Sequence, residues 1–114
     1  MAGNIVELAV NQDIDGQNGY TASFPATAMD QLMLEFDPKH TGPPVCALTG
    51  HEGAKMEIHP MPLRGREGRF SAHVGNDTKW SGITVTMAAA SKHKGKLLKI
   101  RLVVKSHVPG APPA

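Results

Sequence analysis

Three basic clusters carry the most explicit chemistry in this sequence. Arg64, Arg66 and Arg69 alternate with Gly65, Glu67 and Gly68, which puts three guanidinium groups on a Gly-rich loop. A guanidinium presents a planar fork that matches paired oxygens on phosphate or carboxylate. Lys92, Lys94 and Lys96 surround Gly95 at a second turn, and Lys99, Arg101 and Lys105 continue from it along an alternating stretch. Together these nine residues form a candidate partner- or phosphate-binding surface. Nucleic acid would engage it through backbone phosphates, but Tyr20, Phe24, Phe36, Phe70 and Trp80 are the whole aromatic supply, and stacking on single strands needs more. The same lysines also suit the ordinary task of keeping a sheet edge soluble.

Catalytic and metal chemistry find less to work with. No Gly-x-Ser-x-Gly elbow and no Gly-Lys-Ser/Thr phosphate loop occur. Cys46 lies between Val45 and Ala47, with Leu48 beyond, so it reads as an inert core thiol in a reducing compartment. Residues 11–16, Asn-Gln-Asp-Ile-Asp-Gly, set oxygen-bearing side chains at alternate positions ahead of a glycine, as at the start of a calcium loop. They resemble the short calcium loops of the dockerin and integrin families, with Asn11 at the first Asp position. Where the longer loop needs a bidentate acid the chain has Ala22, so an Asx-rich turn is the competing reading. Of six histidines, His59 and His73 make the best pair, yet a hairpin between their strands would leave them ~14 Å apart. Expected, then, are no catalytic residue, no metal site, no cofactor and no small-molecule substrate.

Charge is unevenly spread. Residues 1–38 hold six acids (Glu7, Asp13, Asp15, Asp30, Glu35, Asp37) and no Lys or Arg, whereas all twelve bases follow, and the net charge is +2. Such asymmetry joins neighbouring copies, attracts an anionic partner, or disappears because the two segments lie side by side.

The elements that position these groups are strands. Alternation marks residues 5–10, 45–49, 54–58, 69–74, 83–89 and 98–108, and on the last of these Leu98, Ile100, Leu102 and Val104 are expected inward with Lys99, Arg101 and Lys105 outward. The polar connection at 91–96 suggests a hairpin between the last two strands. The loop around Arg64 suggests another between the third and fourth. Residues 23–36 fit both periods: Met29, Leu32, Met33 and Phe36 have helical spacing, and Leu32, Leu34 and Phe36 have strand spacing. A capping-box-like Thr27 and Asp30, with a stop at Asp37-Pro38, favour a short helix; a strand would give a seventh strand. The fold class expected is all-β: a single small antiparallel β-sandwich over residues 1–108, immunoglobulin-like or jelly-roll-like, with six to seven strands and at most one short helix. Residues 109–114 read as a Pro-rich arm.

Residues 99–109, Lys-Ile-Arg-Leu-Val-Val-Lys-Ser-His-Val-Pro, resemble the closing strand of the Rel-homology DNA-binding domain of NFAT-type factors, about a tenth of the chain. That resemblance implies an immunoglobulin-like sandwich and a DNA partner, but the family's Arg- and Tyr-rich recognition loop has no counterpart near Tyr20.

Taken together, the residues point to a non-catalytic structural or assembly protein acting by surface contact, such as a repeating or accessory subunit of a virus or phage particle. A small nucleic-acid-binding domain is the alternative. A protein partner or self-association is expected and no membrane, since no apolar run approaches the ~18 residues of a span; the location expected is intracellular, cytoplasmic or within a virus particle.

Overall fold

A computed structural model describes residues 5–75, 77–88 and 92–105. The described residues form nine strands: β1 (Ile5–Asp15), β2 (Tyr20–Thr27), β3 (Met29–Phe36), β4 (Pro44–Gly50), β5 (Lys55–Ile58), β6 (Met61–Pro62), β7 (Arg69–His73), β8 (Trp80–Met87) and β9 (Lys94–Val104). They build two antiparallel sheets, ordered β1-β9-β3-β7-β6 and β2-β8-β4-β5. The packed inner faces supply the core: Leu32, Leu34, Phe36, Phe70, Leu97, Ile100 and Leu102 from the first sheet meet Cys46, Leu48, Trp80, Ile83, Val85 and Met87 from the second. No α-helix occurs among the described residues, and none of their helices is long and apolar enough to cross a membrane.

The expected helix at 23–36 is therefore replaced by β2 and β3. Strand period wins in β3 because it is paired on both sides: Leu32 lies between Ala72 and Leu102, and Leu34 between Phe70 and Ile100. Its helical-spacing residue Met33 is left on the outer face, half-buried. Six to seven strands become nine because β2, kinked by a register shift between Ser23 and Thr27 that accommodates Pro25, and the two-residue β6 join the others.

Both expected hairpins are also corrected. β8 lies in the second sheet and β9 in the first; β5 pairs with β4, and β7 with β3 and β6. Setting the short β6 aside, the pairs are β1 with β9, β2 with β8, β3 with β7 and β4 with β5, so the chain is one long antiparallel ribbon with its tip at the β4–β5 turn. That ribbon is wrapped until neighbouring windings pair, which sends most consecutive strands to opposite sheets. Turn signals within 59–68 mark where the chain reverses, whereas the expected connection at 91–96 is strand from Lys94 onward; which sheet the chain enters depends on winding.

The last strand keeps its predicted phase only in part. Ile100 and Leu102 are fully buried, but so is Leu97, while Leu98 and Val104 are half-buried. Glu35 pairs with Lys99 and Phe36 with Leu97, so Leu98 is an extra residue opposite β3. Opposite β1 the bulge is matched by Val10 and Asn11, between Ala9 and Gln12, with Asn11 in the left-handed region at φ 53°. An extra residue on a two-residue period flips every side chain beyond it. The expected continuation to Val108, the start of the connection at 91, and the arm at 109–114 lie outside the described residues.

Candidate functional site

The wrapped ribbon lays the acid-rich β1 directly beside the base-rich β9. Glu7 pairs with Arg101, Asp13 with Lys96 and Asp15 with Lys94. On the outer face the Arg101 Nε–H donates to Glu7 Oε1 at 3.0 Å, and Lys99 Nζ stands 3.7 Å from Glu7 Oε2. The hydrogen bond from Arg101, then the charge of Lys99, holds the Glu7 carboxyl below its usual range. Arg69 faces Glu35 at 3.8 Å, and Lys105 faces Asp77 at 2.9 Å while also donating to the Gly75 carbonyl. Glu7 and Glu35 of the acid-rich segment thus meet Arg101, Lys99 and Arg69 of the base-rich segment inside one molecule.

The nine candidate cations fall in three places. Arg66, Arg69, Lys99 and Arg101 line a groove of about 230 Å³ on the outer face of the first sheet, with Met33, Glu35 and Leu63; Arg64 is exposed in the adjoining loop. Lys94 and Lys96, with Lys92 nearby in sequence, belong to one end of the sandwich. Lys105 follows the far end of β9. Arg66 reaches the groove because Leu63–Gly68 closes the β6–β7 hairpin: Leu63 N–H donates to the Arg69 carbonyl and Arg69 N–H to the Arg66 carbonyl.

The sandwich end holds a cleft of about 600 Å³ lined by Asp13, Asp15, Asp37, Lys39, His40, Lys94 and Lys96 among others. Sequence reasoning missed Lys39 and His40, because Asp37-Pro38 read only as a stop signal. His40 packs against Phe70 and Phe36, ring centroids 5.3 and 6.0 Å away, and its Nδ1 is buried with no hydrogen-bond partner. Two of the cleft's carboxylates are engaged by their own turns: Asp15 Oδ1 accepts from Gln17 N–H and Asn18 N–H at 2.8 and 2.6 Å, which lowers its pKa, and Asp37 Oδ1 accepts from Lys39 N–H.

Residues 11–16 are consequently a strand end running into an Asx turn. Buried Ile14 separates Asp13 from Asp15, and among the described residues no three of His, Cys, Asp and Glu gather to hold a metal. His59 follows β5 in the second sheet and bonds Glu57 at 2.8 Å, whereas His73 ends β7 in the first. Cys46 is fully buried, and burial pushes its thiol up from 9.0 to about 12. Because the folded state holds this proton when the unfolded state has lost it, the contribution to stability falls as pH rises above about 9. Native protein at pH 8 should resist iodoacetamide, and the modification rate should follow the rate of opening under increasing denaturant; fast labelling of the folded form would contradict the burial.

Comparison with protein-family models, curated proteins and solved structures gives no match to this chain.

Proposed function

We propose that the protein is a non-catalytic building block, a repeating or accessory subunit of a larger assembly of the virus or phage type, which joins its neighbours by strand addition at β1. The carrying observation is the contrast among the four sheet edges. β6 has two residues and Pro62, β2 is kinked at Pro25, and β5 has four residues with Lys55 and Glu57 exposed. These are the usual devices that stop one sheet from pairing with another. β1 is eleven residues long with a bulge at Val10–Asn11, and the regular Ile5–Ala9 part of its free edge pairs with no strand among the described residues. Ile5 on it is 54% exposed. Its acidic side chain in the flat Ile5–Ala9 stretch, Glu7, is offset by Arg101 and Lys99, so a second copy meets less repulsion there than the sequence suggests.

Fold analogy adds support. A ribbon of eight strands that pairs β1 with β9, β2 with β8, β3 with β7 and β4 with β5 across two sheets has the winding of a jelly roll, a form used by many capsid subunits and also by lectins and cupins. Four of the nine candidate cations being paired internally favours assembly over an extended nucleic-acid face.

Sedimentation of the wild-type chain from micromolar to sub-millimolar concentration should show reversible association. Ile5→Lys with Ala9→Lys, which supply the edge lysines that β1 lacks, should return it to monomer with unchanged circular dichroism. A wild-type chain that stays strictly monomeric throughout overturns self-assembly through this edge.

A further inference from the structure

The groove on the outer face of the first sheet gathers more positive charge than its surroundings offset. Lys99, Glu35 and Arg69 form one cross-strand row over β9, β3 and β7, and Glu7, Arg101, Met33 and Ser71 form the next row from β1 to β7. Arg66 lines the same groove from the β6–β7 turn. Four cations thus line one small space with Glu35 as the carboxylate among them, and Met33 and Leu63 give it apolar walls. Arg69 stands 3.8 Å from Glu35 and Lys99 3.7 Å from Glu7, too far for hydrogen bonds, while Arg66 has no ion pair among the described residues. The guanidinium groups of Arg66 and Arg69 make no hydrogen bond among the described residues, and Glu7, outside the groove on β1, holds Arg101 and Lys99 from one side.

We infer that this groove binds a compact phosphate group, and that Glu7 is an internal counter-ion with which the phosphate competes. Arg66 and Arg69 supply forked donors, and Lys99 and Arg101 supply charge once they turn from Glu7. The volume, about 230 Å³, lies below the range of drug-sized pockets and suits a free phosphate or the head of a small phosphate ester. A nucleic-acid strand would need cations spaced along a track; Lys94, Lys96 and Lys105 instead lie toward the two ends of β9. The inference is independent of strand addition at β1.

The test is an amide-resolved NMR titration at low ionic strength with inorganic phosphate, then phenyl phosphate, with chloride as the ionic control. Shifts should concentrate on residues 33–35, 66–70 and 99–101. Arg66→Ala with Arg69→Ala should weaken phosphate binding by about tenfold or more, as loss of charge-assisted bonds does. Glu7→Gln should tighten it severalfold, and Lys94→Ala with Lys96→Ala should leave it unchanged. The spectrum of each variant reports its fold directly, and Glu7→Gln keeps a gain-of-binding arm free of folding losses. Tighter binding of phenyl phosphate identifies an ester with an apolar body; equal binding identifies free phosphate. Three outcomes overturn the site: shifts spread evenly over all basic segments, chloride acting equally, or Glu7→Gln failing to tighten binding.

Discussion

Leu102→Ala should lower the unfolding free energy by about 2–5 kcal/mol, read from the denaturant midpoint at an unchanged slope. Leu102 is fully buried in the second strand of its sheet, between Val6 on β1 and Leu32 on β3, and it faces the opposite sheet across the core. Its neighbours belong to paired strands that cannot close inward, so the lost side chain leaves a cavity as well as lost burial. The companion measurement is at the bulge. Leu97→Ala should cost much more than Leu98→Ala, since Leu97 is fully buried and Leu98 half-buried. The reverse ranking would show that the strand keeps one unbroken phase with no bulge at Leu98, which would move Lys94 and Lys96 to the other face and leave Lys99 and Arg101 outward.

Gly68→Ala should cost more than about 2 kcal/mol. Gly68 has φ 82°, a conformation that costs an L-residue roughly 1–2 kcal/mol. A Cβ there would also run into the Phe36 carbonyl oxygen, and the backbone bond from Phe36 N–H to the Gly68 carbonyl, at 2.6 Å, would have to stretch. Gly65 is the internal control: its φ is 74°, but a Cβ would meet nothing within 4 Å, so Gly65→Ala should pay only the backbone strain of about 1–2 kcal/mol. Because Gly68 anchors the turn that carries Arg66 and Arg69, Gly68→Ala should also weaken phosphate binding, whereas Gly65→Ala should spare most of it. Equal stability losses for the two variants would show that the close approach to Phe36 is not what requires glycine at 68.

Local structure was legible in the order of residues. Alternation at Ile83, Val85 and Met87, and at Ile100 and Leu102, picked out inward faces because a strand's side chains repeat every two residues whatever the strand pairs with. The apolar flanks of Cys46 foretold its burial. Residues 29–36 carried both periods at once, and only pairing on both sides by β7 and β9 selected the strand. The winding of the ribbon was likewise invisible, since a turn signal marks a reversal of direction without naming the strand on the other side. The Leu98 bulge left no mark in composition; it is defined by the registers of two neighbours. The clearest case is charge. Acids and bases separated along the chain are equally compatible with two opposed patches and with segments that neutralise side by side; the fold lays β1 beside β9, so that Glu7 meets Arg101 across 94 residues of sequence. Periodicity is a property of adjacent residues and survives in the sequence, whereas ion pairing is a property of distance in space, and only the folded chain sets that distance.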